Sequence, residues 1–242
     1  MNDSELAVCL AAAAGQLLLE LQKRGSTSET LLGEEGDYAA NAYLCAALRS
    51  ERPDDALLSE EEADCTSRCS ANRVWIIDPL DGTREYSEGR DDWAVHVALA
   101  VDGIASVGAV ALPSVGLILS SATPPMLATP NRPLKMVVSR TRPAAEAVRI
   151  ANEMEAELVR MGSAGAKAMA VVQGAADIYL HTGGQFEWDN CAPVAVAQAA
   201  GLHCSRVDGA PLRYNNANPY LPDLLICRPE LATEILALVK TL

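Results

Sequence analysis

Between Val74 and Glu85 the chain reads VWIIDPLDGTRE, four apolar residues that run straight into two aspartates, Asp78 and Asp81. The apolar run has the composition of a buried strand, and ending such a strand in carboxylates is costly unless something neutralises them. Proline has no amide to give to a sheet ladder, so the strand is expected to leave its ladder at Pro79. The turn then aims Asp78 and Asp81 at one point, with the Leu80 carbonyl as a third oxygen, a donor set suited to a hard cation such as Mg²⁺. Gly82 and Thr83 follow at the start of a helical turn, where amides favour anions and a hydroxyl can orient a water. A charged turn with Asp81 as a helix N-cap fits the same residues, so the choice depends on acids elsewhere.

Three further segments supply them. The expected strand ALLS ends in Glu60, Glu61 and Glu62, and the Gly-rich turn GGQFEWDNCAP sets Asp189 at the start of an apolar helix. Asp37 is expected to cap a second helix, YAANAYLCAALRSERP, stopped by Pro53. Carboxylates gathered in one place repel and take up protons, so acidic clusters at several element ends point to a site completed by divalent cations.

The rest of the chain bounds the fold. Asp3 and Ser4 open a long helix that ends in basic residues before Gly25. Residues 56–121 switch to short β-branched runs, with Asp102-Gly103 as a hairpin turn, and read as a largely antiparallel sheet. The proline-rich stretch ATPPMLATPNRP separates this half, residues 1–125, from residues 126–242, where strands and helices alternate. An α+β half followed by an α/β half gives stacked layers of helix and sheet in two closely packed subdomains. A net charge of −13 argues against a nucleic-acid polymer as partner. No apolar run is read as approaching the roughly 20 residues of a membrane span, and the acidic N-terminus is unlike a signal peptide, so a cytoplasmic protein without a membrane partner is expected. The seven scattered cysteines are expected to be reduced thiols.

Taken with LLSEE and EWDNCAPVAVAQAAG, the motif DPLDGTRE resembles the inositol monophosphatase superfamily, over nearly the whole chain and in the right order. The segments GDYAAN, VSRTRP, GSAGAKAMAVVQGAADIYLHTGGQFEWD and LRYN are most similar to its CysQ branch of 3′(2′),5′-bisphosphate nucleotidases. The resemblance implies a five-layer αβαβα sandwich and Mg²⁺-dependent hydrolysis of a small phosphate monoester, with lithium inhibition frequent in the family. It implies that Glu60, Asp78, the Leu80 carbonyl, Asp81 and Asp189 hold two or three Mg²⁺ ions, and that Asp37 and Thr83 position the attacking water. The expected reaction is removal of the 3′-phosphate of 3′-phosphoadenosine 5′-phosphate, giving AMP. Inositol phosphate, fructose 1,6-bisphosphate and a silent phosphometabolite binder are the alternatives, and a homodimer is carried as a family habit.

Substrate contacts are drawn from Gly82, Thr83, Asp189, Ser163 and Lys167, and from Arg140, Arg142, Arg213 and Tyr214 for the second phosphate, ribose or base. Lys167 reads either as a phosphate ligand in a string of small residues or as a surface lysine on a tight strand-to-helix turn. His96 is expected to be a core residue, His181 to face the substrate and Trp188 to support the turn that presents Asp189. The stretch GSTSETLLGEEGD lacks the lysine and Val-Thr residues of relatives, leaving Glu34 and Glu35 as the acids available for a third metal position.

Overall fold

Asn2 accepts from the Glu5 amide and Glu5 returns a bond to the Asn2 amide, which starts α1 (Asp3–Arg24) with a closed capping box. The computed structural model describes residues 1–26 and 28–241, so Thr27, within the stretch that joins the first two helices, lies outside the described residues. Ser28 caps α2 (Glu29–Glu51) through its bond from the Leu31 amide. Asp37 is therefore not a helix cap, as expected from its sequence, but sits more than two turns inside α2. The apparent loop LLGEEGD is helical because its glycines meet a neighbour. A Cβ at Gly33 would lie 2.7 Å from Thr83 Cγ2, and one at Gly36 would lie 3.1 Å from Leu80. These two glycines let α2 press onto the DPLDGT segment.

The first sheet has the order β1 (Ala56–Ser59), β2 (Arg73–Asp81), β3 (Ala94–Val101), β4 (Ile104–Leu112), β5 (Leu117–Ser120). Only β1 and β2 are parallel. Asp102 and Gly103, at φ 51° and 76°, make the expected hairpin between β3 and β4. The strand does not leave its ladder at Pro79. It runs on to Asp81, and the register shifts between the pairs Asp78–His96 and Asp81–Ala94, with two residues on β2, Pro79 and Leu80, facing one on β3, Val95. The extra residue is a β-bulge, where a missing proline amide is tolerated and a strand changes direction. Gly82, at φ 92°, then opens α3 (Thr83–Ser87).

The second half alternates as expected: β6 (Lys135–Ser139), α4 (Ala145–Glu153), β7 (Glu157–Met161), α5 (Ala164–Val172) and β8 (Ile178–His181). It continues through β9 (Gln185–Phe186), α6 (Glu187–Ala199), β10 (His203–Ser205), β11 (Tyr220–Leu221), β12 (Leu224–Cys227) and α7 (Pro229–Val239). The second sheet has the order β10-β12-β8-β6-β7, while β9 and β11 pair separately as a short ribbon. The sequence reading held no β9, β10 or β11, which are two or three residues long and carry no periodicity.

Alternation along the strands sorts their side chains into three cores. Trp75, Ile77, Val95 and Val97 face α1 and α2. Val74, Ile76, Ala98 and Val110 face the other way, onto α5 and α6, which also cover Val137, Tyr179 and Ile226 of the second sheet. Met136, Val138, Ile178 and Leu225 pack under α4 and α7. The result is the expected αβαβα sandwich. One expectation is corrected: α1 is long and apolar enough to cross a membrane, with a mean hydropathy of 1.5 in its window. In this fold its stripe of Leu6, Leu10, Ala14 and Leu18 is buried in the first core.

Candidate metal and phosphate site

The bulge in β2 is where the acids converge. Glu60 continues β1 beside β2, its amide donating to the Ile77 carbonyl at 3.4 Å, so its side chain stands next to Asp78. Asp78 is buried, and one of its oxygens accepts from the Leu80 amide at 3.1 Å. Burial, followed by the charges of Glu60, Asp81 and Asp189, pushes the Asp78 carboxyl well above the usual range. The same causes, desolvation first and Asp189 next, raise Glu60 to about 7 even though that residue is exposed at the rim. Asp189 is the third residue of α6 rather than its cap, and it accepts from the Phe186 amide at 2.6 Å. Burial and Asp81 raise it to about 6.

Asp81 differs from its neighbours because it is fully solvated by the protein. It accepts from the Ser163 hydroxyl at 2.5 Å, the Ala164 amide at 3.0 Å and the Gly165 amide at 2.6 Å, all at the N-terminus of α5. His96 Nε2 lies 3.2 Å away. Burial opposes ionisation of Asp81, but His96, Ser163 and Lys167 outweigh it and hold the carboxyl at about 2. Ser163 also accepts from the Ala166 amide and so caps α5 from a strained φ of 38°.

His96 was read as core filling, and it is fully buried, yet it ties the site together. Its Nδ1 lies 3.0 Å from the Trp188 carbonyl, which can only accept, so Nδ1 carries a proton; burial opposes a charge on the ring, but the Asp81 carboxylate beside Nε2 outweighs it, raises the ring's pKa and favours a second proton there. Its Nε2 faces Asp81, and a Cβ at Gly165 would fall 2.0 Å from that nitrogen. The signal was available in the sequence as one polar residue in the apolar run WAVHVALAV, directly opposite Asp78 in the register. Ligand atoms of Asp78, Asp81 and His96 lie within 4.8 Å of one another. The histidine is already engaged by Trp188 and Asp81, so the oxygens are the donors that suit a cation.

On the other side of the bulge, α2 presents Asp37. The Thr83 hydroxyl lies 3.4 Å from its carboxylate and 3.2 Å from the Leu80 carbonyl. Burial, then Glu61, raises Asp37 to about 7 against the Thr83 bond. Glu34 and Glu35 are exposed on α2, and Glu34 shares a cavity wall with Thr83 and Arg84.

A cleft of about 240 Å³ opens beside the acids, lined by Gly82, Thr83, Arg140, Arg142, Ser163 and Lys167 among others. Lys167 is not a surface lysine. It is buried, donates to the Gly162 and Ser163 carbonyls at 2.8 and 2.6 Å, and has its pKa lowered by that burial. Arg140 is held by Glu85 and Glu88, which leaves Arg84 and Arg142 as the more exposed guanidinium groups at the cleft. Two candidates stand elsewhere. Arg213 is exposed and outside the cleft lining, and Tyr214 is a core residue whose hydroxyl donates to Asn190 at 3.0 Å. The half-buried His181 ring is 3.0 Å from the Gly184 carbonyl. Sequence reading also missed Glu85 and Asp92, which brace the cleft wall by holding Arg140 and the Gly162 amide.

Clustered carboxylates with raised pKa values lie beside a basic cleft, and their unbalanced negative charge calls for divalent cations. An all-oxygen donor set fits them. Residues 3–242 match the model of the inositol monophosphatase family, and the chain belongs to that family. It is 49% identical to the 3′-phosphoadenosine 5′-phosphate phosphatase of Mycobacterium leprae (strain TN), over 99% of this chain and 94% of that protein. To the 3′(2′),5′-bisphosphate nucleotidase CysQ of Escherichia coli (strain K12) it is 31% identical over 76% of this chain and 80% of the relative. The crystal structure of CysQ from Bacteroides thetaiotaomicron superimposes with a TM-score of 0.81 at 22% identity, covering 93% of this chain and 97% of that one.

Proposed function

We propose that this chain is a Mg²⁺-dependent phosphatase that removes the 3′-phosphate of 3′-phosphoadenosine 5′-phosphate by direct attack of water. The observation that carries the reading is the meeting of Glu60, Asp78, Asp81, Asp189 and the Leu80 carbonyl with the Asp37–Thr83 pair at one edge of the cleft. The relatives of nearly half-identical sequence support the nucleotide as substrate.

The carboxylates and the Leu80 carbonyl would hold two or three cations. Bound there, Mg²⁺ lowers the pKa of a water and offsets charge on the phosphate and the leaving oxygen. The chain does the rest. The Thr83 hydroxyl gives its one proton to Asp37 or to the Leu80 carbonyl, which leaves a lone pair to orient the attacking water. Asp37, within reach of the Thr83 hydroxyl, is the carboxylate suited to take the proton that the water gives up. Gly82 would offer its amide toward an anion, whereas the first amides of α5 are already taken by Asp81 and Ser163. Asp81 keeps the Ser163 cap in place, and the buried Lys167 adds a positive charge beneath the same turn. Arg142, which lines the cleft, would take the second phosphate.

Residues 1–125 and 126–242 act in this reading as two halves, the first supplying most metal ligands and the second Asp189 and the substrate-binding residues. Homodimerisation and a cytoplasmic location belong to the same proposal, and sedimentation velocity tests the first. The activity is tested by phosphate release with Mg²⁺ from 3′-phosphoadenosine 5′-phosphate, inositol 1-phosphate and fructose 1,6-bisphosphate in parallel. Preference for the nucleotide, lost in Asp78→Asn, supports the assignment. Better turnover of either sugar phosphate removes it.

A further inference from the structure

We propose that Phe186, Trp188 and Tyr220 form a stacking platform for the purine base of the nucleotide. Their rings make one cluster. Phe186 and Trp188 stack with centroids 4.7 Å apart and planes 8° from parallel, and Tyr220 meets Phe186 edge-on at 5.8 Å. The register of β9 and β11 sets Tyr220 opposite Phe186.

Aromatics are scarce in this chain, at 4% of residues, and Phe186 is its single phenylalanine. Large rings are normally where a fold hides apolar area, yet Phe186 is 41% and Tyr220 46% exposed. A purely structural staple needs neither ring in water. Trp188, half-buried against the central core, performs that role already. The turn is also shaped for Tyr220: Gly184 has φ 81°, and a Cβ on it would lie 2.3 Å from the tyrosine hydroxyl.

The cluster adjoins the reacting centre through two backbone contacts. The Phe186 amide donates to the Asp189 carboxylate at 2.6 Å, and the Trp188 carbonyl is bonded to His96, whose other nitrogen faces Asp81. The polar cleft of Ser139, Arg140 and Arg142, which none of the three rings lines, suits the 5′-phosphate and not an apolar ring. Stacking accepts any base with a π-face and needs no hydrogen-bond partner. The inference rests on the nucleotidase reading.

The test compares wild type, Phe186→Ala, Tyr220→Ala and Phe186→Trp on 3′-phosphoadenosine 5′-phosphate and on the 1-O-methylribose 3,5-bisphosphate that lacks the base. The Phe186 amide survives each change, so Asp189 keeps its bond. Expected for each alanine variant is a rise in KM of about 10-fold for the nucleotide only, with restoration by Phe186→Trp. Equal losses on both substrates, or an unchanged nucleotide KM, overturn the platform. AMP titrated onto wild type in Mg²⁺ is expected to quench tryptophan fluorescence, with about 10-fold weaker binding in Phe186→Ala. Quenching by AMP in a protein that fails to hydrolyse the bisphosphate would remove the phosphatase reading while keeping the platform; absence of quenching overturns the platform.

Discussion

The carboxylate of Asp81, at the end of a strand in the first half of the chain, accepts the hydroxyl proton of Ser163, the cap of a helix in the second half, at 2.5 Å. One acid thus joins the two sheets, because the donors that hold it ionised are the free amides of α5. Replacing Ser163 with alanine removes both the cap and the bond. The variant is expected to lose about 1–2 kcal/mol in denaturant unfolding and to weaken phosphate binding as the turn loosens. Unaltered stability would mean that the Ala164 and Gly165 amides suffice.

Asp78 is buried among like charges, so in metal-free protein its ionised form is a burden on the fold. Asp78→Asn keeps the shape and removes that repulsion. Its metal-free melting temperature is expected to equal or exceed that of wild type, while the stabilisation added by Mg²⁺ shrinks and kcat/KM drops at least about 100-fold. A metal-free protein that melts lower than wild type would show that Asp78 acts mainly as a hydrogen-bonding group for the bulge.

Stability should depend on pH with a sign opposite to that of an ordinary salt-bridged acid. Asp37 and Glu60 at about 7 and Asp189 at about 6 hold protons in the native state that the unfolded chain has already released. Their folded-state values lie above the unfolded ones, so metal-free stability falls as pH rises from about 4 to about 7, and the raised Asp78 and His96 act in the same direction. Asp81, held at about 2, adds stability that is lost only in acid, below this window. Denaturation in chelator at pH 5 and pH 8 checks the direction. Mg²⁺ is expected to displace the protons, abolish the difference and bind more tightly at the higher pH.

Thr83 has one proton and two acceptors within reach, Asp37 and the Leu80 carbonyl. Thr83→Ala is expected to reduce kcat by about 10²- to 10⁴-fold with a small change in KM, since the group orients water and does not hold the substrate. Thr83→Ser should recover most of the rate. If serine is as poor as alanine, the methyl packed near Gly33 is what matters.

Tyr214 is buried, with its hydroxyl on Asn190. Tyr214→Phe is expected to cost about 1 kcal/mol in unfolding and to leave the KM for nucleotide unchanged. An increased KM without loss of stability would return Tyr214 to the substrate.

The sequence by itself determined the elements long enough to carry a pattern: the two N-terminal helices as segments, the five strands of the first sheet and the alternation of the second half. It also determined the acids, because carboxylates at the ends of apolar runs are costly in any fold that lacks a cation. Only the tertiary structure decided what those acids face. Pro79 sits in a bulge and does not end its strand, because β3 continues to pair beyond it. Asp37 lies within a helix, because Gly33 and Gly36 gain close contact with Thr83 and Leu80 that outweighs their poor helix propensity. Lys167 is buried, Tyr214 packs in the core, and His96 spans Asp81 and Trp188. Each depends on partners between 4 and 92 positions away, the nearest of them across a strained turn. Local periodicity records which side of an element is buried, and the identity of the group on the other side of that burial is a property of the packed sheets and helices alone.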